Sequence, residues 1–163
     1  MRIALPEREP FQLDHLVCDL NGTLAEDGLL LDGVSGRLVQ LGGSLSLHLL
    51  TADTHGTAAY IVEQLHHALV GAGVYTPLAC ERVGTGMEKE RYVQRLGAER
   101  VVAIGNGAND VAMLRAVALS ILVLGTEGAA VPALLAAQVV VSSAADALDL
   151  LLFPERLVAT LRP

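Results

Sequence analysis

The sequence predicts an α/β fold, a mainly parallel sheet with helices on both of its faces. Short apolar, β-rich runs alternate along the chain with segments of helical periodicity, which is typical of parallel strands joined by crossover helices. Polar residues directly follow several of the apolar runs. The length of 163 residues fits one domain with a sizeable core, so we expect a single domain over residues 1–163.

The individual elements follow from these patterns in chain order. Apolar runs predict strands near residues 15–19, 45–50, 77–80, 100–104, 119–124 and 138–141. Helical periodicity predicts helices at 34–41, 55–70, 88–97, 108–117, 127–136 and 145–151. A last helix is expected to begin at Pro154, because proline suits a first helical turn. The first dozen residues show no clear pattern.

Composition narrows the class of partner and the compartment. The formal net charge of −7 disfavours nucleic acid as a partner, since binding to a phosphate backbone needs excess positive charge. The most apolar stretch, 117–141, contains Ser120, Gly125, Glu127 and Pro132, so no segment reaches the roughly 18 to 20 clean apolar residues of a membrane span. Charged residues and proline near the start predict no secretion signal, and two cysteines make no disulfide framework. We therefore expect a cytoplasmic protein without a membrane partner.

Four polar signals are expected to meet in one crevice. Asp19 ends the first predicted strand, the segment 51–53 (Thr-Ala-Asp) ends the second, and 105–110 (Gly-Asn-Gly-Ala-Asn-Asp) ends the fourth, while Lys89 lies in the helix before it. Ligands gather at the carboxyl ends of the strands in such sheets. An aspartate can attack phosphorus, threonine can hold phosphoryl oxygens, lysine can neutralise them and carboxylates can hold Mg²⁺. The pattern indicates phosphoryl chemistry.

The order of these motifs resembles the haloacid dehalogenase (HAD) superfamily of aspartyl-phosphate phosphotransferases. Within it, the sequence is most similar to the phosphorylation domain of P-type ATPases and to a family of small soluble P-type ATPase-like phosphatases. The residues that carry the resemblance are Asp19-Leu20-Asn21-Gly22-Thr23, Thr51-Ala52-Asp53, Lys89 and Gly105-Asn106-Gly107-Ala108-Asn109-Asp110. Four motifs in the right order are far more specific than one.

The resemblance implies a three-layer Rossmann-like HAD fold and a set of site residues. The implied catalytic residues are Asp19 as nucleophile, Asn21 and Lys89. The phosphate would be bound by Gly22, Thr23, Thr51, Ala52, Lys89 and Asn109. The implied cofactor is Mg²⁺, held by Asp19, Asn21, Asn106 and Asp110. The substrate would be a small phosphorylated molecule.

The chain is too short for the large insertions of this superfamily. The segment between Thr23 and Lys89 cannot hold the nucleotide-binding insertion of the ATPases, and without membrane spans ion pumping is excluded. Between Thr23 and Thr51 there is room only for a flap at 24–33 and one short helix, so we expect no full cap domain. A capless enzyme acts on a bulky substrate or closes its site with a neighbouring subunit. We therefore expect a homo-oligomer.

Two asparagines replace the acids that the family usually carries. Asn21 stands where most phosphatases of the superfamily have the aspartate that protonates the leaving group, and an amide cannot do so at neutral pH. We expect a slow phosphatase that prefers acyl or aryl phosphates and accumulates its phosphoaspartate. Asn106 replaces a carboxylate that usually binds Mg²⁺, so metal affinity should be weakened.

Other interpretations of the same residues remain open. Asp19 could be a turn or capping residue, Lys89 a solvated lysine, and Thr51 merely the end of a strand. Asn109 and Asp110 could cap the following helix, and Asp53 could be a hinge or a site residue. His66 and His67 are expected on a solvated helix face. Two alternative functions are a capless sugar-phosphate phosphatase of the KDO 8-phosphate type and a catalytically retired HAD fold that senses phosphate or assists assembly.

Overall fold

The computed structural model describes residues 1–162, and the last residue of the expected domain, Pro163, lies outside this range. Its centre is a parallel sheet of six strands, ordered β10-β9-β8-β3-β6-β7. The strands of this sheet are β3 (His15–Asp19), β6 (Ser46–Thr51), β7 (Leu78–Arg82), β8 (Val101–Gly105), β9 (Leu119–Val123) and β10 (Val139–Val141). The predicted α/β class with a parallel sheet is confirmed.

Helices cover both faces of this sheet. They are α1 (Val34–Leu41), α2 (Ala58–Gly71), α3 (Gly86–Leu96), α4 (Val111–Ala116), α5 (Val131–Leu134), α6 (Ala144–Leu152) and α7 (Pro154–Leu161). Strand β3 shows why two layers are needed: Leu16 and Cys18 pack in the cluster that contains α1, α2 and α6, while Val17 packs in the cluster that contains α3 and α4. A strand that is apolar on both faces must be covered on both.

Two short antiparallel hairpins complete the described part of the chain. Strands β1 (Arg2–Leu5) and β2 (Arg8–Gln12) pair in the segment that the sequence left unassigned. Strands β4 (Ala25–Glu26) and β5 (Leu29–Leu30) form the expected flap, and α1 is the only helix between Thr23 and Thr51 in this segment. No cap domain is therefore present among residues 1–162. None of the helices described over this range is both long and apolar enough to span a membrane.

The predicted helix at 127–136 is wrong over most of its length. Only Val131–Leu134 is helical, because Gly128 has a φ of +78° and Ala130 is extended at ψ 132°. The Ala130 N–H instead donates to the backbone oxygen of Asn106, at 2.9 Å. The helix predicted at 108–117 also differs, since residues 108–110 form a 3₁₀ turn before α4. Residues 108–110 and 127–130 therefore belong to the loops that follow the carboxyl ends of β8 and β9.

Candidate active site

Asp19 lies at the carboxyl end of the strand at the centre of the sheet. Strand β3 is flanked by β6 and β8, and Asp19 pairs with Leu50, so Thr51 and Gly105 end the strands on either side. The Asp19 side chain is buried apart from a small opening, with the residue 6% exposed.

The loop after Asp19 depends on Gly22. Its φ is +79°, and a Cβ there would lie 2.7 Å from Glu127 Oε2 and 2.8 Å from Asn106 Nδ2. Only glycine fits both the backbone conformation and this space. The Gly22 N–H donates to the Ala25 backbone oxygen at 2.8 Å, which closes the turn, and the Thr23 hydroxyl then donates to Asp19 Oδ2 at 3.1 Å. The turn thus aims the Thr23 hydroxyl at the carboxylate of Asp19.

Lys89 is fully buried and joins two carboxylates. Its Nζ donates to Asp19 Oδ1 at 2.5 Å and to Asp110 Oδ1 at 2.7 Å. A capping box fixes the start of α3, the helix that carries Lys89. In this box the Thr85 hydroxyl accepts from the Glu88 N–H, and the Glu88 carboxylate accepts from the Thr85 N–H. Lys89 follows directly in the first turns of that helix.

The charges in this cluster shift each other's protonation. Burial raises the pKa of Asp19 to about 6, and the nearby Asp110 carboxylate adds to the rise, while Lys89 and the Thr23 hydroxyl oppose it. Burial alone would lower the pKa of Lys89, but the Asp19 and Asp110 carboxylates outweigh burial and raise it. Lys89 is therefore a permanent cation beside the candidate nucleophile.

Asp110 is held from two sides. Besides Lys89, its Oδ2 accepts from the backbone N–H groups of Asn106, at 2.9 Å, and Gly107, at 2.8 Å. A Cβ on Gly105 would lie 2.6 Å from the Asp110 carboxylate, so the strand must end in glycine. The interpretation of Asp110 as a cap of the following helix is wrong for its side chain, because α4 has no side-chain cap hydrogen bond and the carboxylate accepts from the loop before it instead.

The two asparagines both face the cluster. Asn106 Oδ1 accepts from the Thr23 hydroxyl at 3.2 Å, and its Nδ2 donates to the Gly128 backbone oxygen at 3.1 Å. Asn21 Nδ2 donates to the Thr51 hydroxyl oxygen over a long 3.4 Å, while Asn21 Oδ1 is buried and has no hydrogen-bond partner among residues 1–162. A buried acceptor without a donor is costly unless another group satisfies it.

The segment after β6 is shaped by Asp53. Its N–H donates to the Thr51 hydroxyl oxygen at 2.9 Å, and its Oδ1 accepts from the Ala58 N–H at 3.1 Å, at the first residue of α2. Asp53 has a φ of +52°, which its short polar side chain tolerates. Asp53 thus positions Thr51 and the start of α2, while Ala52 between them is exposed.

The remaining expected residues differ in their placement. Asn109 is half-buried in the 3₁₀ turn, with its Oδ1 2.6 Å from where a Cβ of Gly107 would lie. His66 and His67 are exposed on α2, as expected. The sequence did not indicate Glu127 as a site residue, yet its carboxylate lies against Gly22. Its position four residues after the end of β9 is the signal that could have identified it.

Oxygen atoms predominate around Asp19, which suits a hard divalent cation such as Mg²⁺. The candidate donors are the carboxylate of Asp19, the unpartnered Asn21 Oδ1 or the Asn21 backbone oxygen, and Asn106 Oδ1. Over residues 1–162, no group of three or more His, Cys, Asp or Glu side chains could hold a metal ion. The residues present fit a cation only if neutral oxygens contribute.

A comparison with known sequences identifies one archaeal relative. The chain is 47% identical to an uncharacterised protein of Methanocaldococcus jannaschii over 64 residues, which are 39% of this chain and 69% of that protein. No family model matches the chain.

Solved structures share the fold at low sequence identity. A HAD superfamily (subfamily III A) hydrolase of Legionella pneumophila superposes with a TM-score of 0.65 at 18% identity, covering 92% of this chain and 87% of that chain. The 3-deoxy-D-manno-octulosonate 8-phosphate phosphatase of Moraxella catarrhalis, solved with magnesium, phosphate and KDO, superposes with a TM-score of 0.62 at 12% identity, covering 93% and 95%. The fold is that of HAD hydrolases.

Proposed function

We propose that this chain is a Mg²⁺-dependent phosphatase with Asp19 as nucleophile. The chain belongs to the same family as the archaeal relative, and it has the fold of HAD hydrolases. The observation that carries this proposal is the buried cluster in which Lys89 joins Asp19 and Asp110 at 2.5 and 2.7 Å. A buried lysine between two carboxylates is an expensive arrangement for stability alone. It suits a site that must receive a phosphoryl group, and the motif order of P-type ATPase-like phosphatases supports the same assignment.

The residues of the cluster divide the chemistry among them. An Asp19 carboxylate oxygen attacks phosphorus, the bond to the leaving-group oxygen breaks, and water later hydrolyses the aspartyl phosphate. Lys89 has three N–H donors and uses two on carboxylates, so the third can contact a phosphoryl oxygen. The Thr51 hydroxyl oxygen accepts from Asn21 and Asp53, which leaves its proton for the same purpose.

Three other phosphate contacts belong to this proposal. The Thr23 hydroxyl lies within hydrogen-bond distance of both Asp19 and Asn106, so it can turn to a phosphoryl oxygen. Gly22 leaves room for the phosphoryl group but offers it no donor, because its N–H already donates to the Ala25 backbone oxygen. The Ala52 N–H and the Asn109 amide would complete the phosphate site from the neighbouring strand ends.

A divalent cation would neutralise charge on the phosphoryl group and orient it for in-line attack. Asp19, Asn21 and Asn106 would hold it directly. Both Asp110 oxygens are engaged by Lys89 and by backbone N–H groups, so this residue would act mainly through its charge. The buried, unpartnered Asn21 Oδ1 supports a cation at this place.

Asn21 sets the choice of substrate. An amide cannot give a proton to a departing alkoxide, which favours acyl or aryl phosphates, whose leaving groups need none. The KDO 8-phosphate type of phosphatase has the same fold, but the hydroxyl leaving group of a sugar phosphate needs that proton. The retired-fold alternative is disfavoured by the retained Asp19, Lys89 and Asp110 contacts. Turnover of an aryl phosphate against a sugar phosphate separates the two enzymes.

The decisive test is trapping of the aspartyl phosphate. Fresh protein is exposed briefly to Mg²⁺ and acetyl phosphate, quenched in acid and weighed by intact mass spectrometry beside the Asp19→Asn variant. We expect a phosphoryl adduct on the wild type and none on the variant. An equal adduct on both proteins would remove Asp19 as nucleophile, and no adduct on either would favour the retired fold.

A further inference from the structure

Glu127 is a carboxylate at the candidate site that the motifs do not include. Its Oε2 lies 2.7 Å from the position that a Cβ on Gly22 would take, and Asn106 Nδ2 lies 2.8 Å from the same point. Glu127 therefore borders the nucleophile loop on the side of Asn106, where the family usually has its missing acid. The residue is exposed, so it carries its charge without a burial cost.

The loop that carries Glu127 is fixed on both sides. The Thr126 hydroxyl donates to Glu26 Oε1 on the flap at 2.5 Å. The Asn106 side chain donates to the Gly128 backbone oxygen at 3.1 Å, and the Ala130 N–H donates to the Asn106 backbone oxygen at 2.9 Å. These contacts hold the loop beside Gly22, and none of them is a hydrogen bond of the Glu127 carboxylate.

The charge balance of the cluster gives this position a role. Asp19 and Asp110 carry two negative charges, and Lys89 neutralises one of them. One net negative charge is a weak attraction for a divalent cation. Glu127 supplies a second negative charge beside Gly22, in the loop that follows Asp19, while Asn106 supplies none.

We propose that the Glu127 carboxylate helps to hold the divalent cation of this site, in place of the carboxylate that is absent at position 106. The proposal rests on the proposed function in one respect, namely that a cation binds beside Asp19. It concerns binding of the ion and not the chemistry, so it can be tested without turnover. Glu127 contributes charge, directly or through a bound water, from outside the Asp19-Lys89-Asp110 cluster.

The test is a titration with Mn²⁺, in which free ion is followed by electron paramagnetic resonance. We expect Glu127→Gln to bind Mn²⁺ at least about tenfold more weakly than the wild type, since one charge near the ion is lost. Glu26→Gln is the matched control. It removes the Glu26 carboxylate, which accepts a hydrogen bond from Thr126 in the same loop. That control should change the affinity by less than about twofold.

A second variant tests whether Glu127 replaces the missing acid. Adding Asn106→Asp to Glu127→Gln should return the Mn²⁺ affinity to within about threefold of the wild type, because it restores one carboxylate at the same edge. Unchanged affinity in Glu127→Gln, or a wild type that binds no Mn²⁺, overturns the inference. Failure of the proposed function looks different, since Mn²⁺ would then bind with the expected Glu127 dependence while Asp19 forms no adduct.

Discussion

Asn21 should control how long the phosphorylated enzyme survives. In Asn21→Asp the new carboxylate can take a proton from the attacking water, so we expect the aspartyl phosphate to decay about 10² to 10⁴ times faster than in the wild type. The variant fits the fold because the Thr51 hydroxyl, which now accepts from Asn21, can donate to a carboxylate instead. The measurement is the decay of the adduct mass after acetyl phosphate is removed.

Asn106→Asp is the matched control for this experiment. It creates an acid beside the Thr23 hydroxyl, at the position where the family usually has a carboxylate that binds the metal, so it should change metal affinity more than adduct lifetime. Equal lifetimes in the wild type and Asn21→Asp would show that Asn21 does not limit dephosphorylation.

Lys89 should matter for stability as well as chemistry. In Lys89→Met, Asp19 and Asp110 lose the cation between them, and we expect the free energy of unfolding at neutral pH to fall by about 3 to 5 kcal/mol. The double variant Lys89→Met, Asp110→Asn removes one of the stranded charges and should recover a large part of this loss. Urea unfolding measures both. A loss below about 1 kcal/mol in the single variant would mean that the buried pair is not formed as described.

The sequence predicted much of the candidate site and missed a specific part of it. Asp19 and Thr51 could be placed because each ends a strand, and Asp110 because its motif follows the end of β8; parallel strands bring such positions to one edge. Glu127 was missed although it follows β9, because its approach to Gly22 depends on a loop for which the sequence pattern predicts a helix. The capping role of Asp53 depends on a positive φ that no pattern reveals.

At the scale of secondary-structure elements, a line of polar side chains joins two strands to α3. His15 Nδ1 lies 3.1 Å from His48 Nε2, and His48 Nδ1 lies 2.8 Å from the Tyr92 hydroxyl. Burial lowers the pKa of His48 from 6.5 to about 4, and His15 adds to the effect. Burial between β3, β6 and α3 therefore favours the neutral form of His48.

This histidine predicts how stability depends on pH. Because the pKa of His48 is lower in the folded chain, the unfolded chain binds more protons between about pH 4 and 6.5, so stability falls as the pH falls through this window. From about pH 7.5 to pH 5 the loss should be on the order of 2 kcal/mol.

Comparison with a variant isolates this contribution. His48→Asn should lose the pH dependence that comes from position 48, at some cost in stability. Asp19, whose raised pKa acts with the opposite sign, titrates in both proteins and cancels in the difference. Urea unfolding at several pH values gives the two curves, and parallel curves would rule out a neutral buried His48.

The elements themselves were predicted where apolar runs were continuous. The six central strands match the expected positions to within a few residues, because apolar residues occupy at least half of the positions in each. The β1–β2 hairpin was not predicted, since only Ile3 and Leu5 are buried in β1 and β2 has no buried residue. Half-buried hairpins leave too little apolar pattern to detect.

For the whole molecule, the absence of a cap among residues 1–162 leads to the prediction of a homo-oligomer. The flap residue Leu30 and the α2 residue Tyr60 line one open cavity of about 540 Å³, and the adjacent flap residue Leu29 is 66% exposed. The other residues that line this cavity are polar, namely Ser35, Glu63, Gln64 and His67. Exposed apolar side chains on the flap and on α2 suit contact with a neighbouring copy.

A mass measurement in solution tests this prediction. We expect light scattering to give a multiple of the 17.1 kDa chain mass, and Leu29→Asp together with Tyr60→Asp to return it to one chain, because two charges would be buried in the contact. Val131→Asp is the control, since Val131 is equally exposed, at 68%, but lies on α5. A wild type of 17.1 kDa at all concentrations would contradict the prediction, and a bulky substrate would then be the remaining expectation for a capless enzyme.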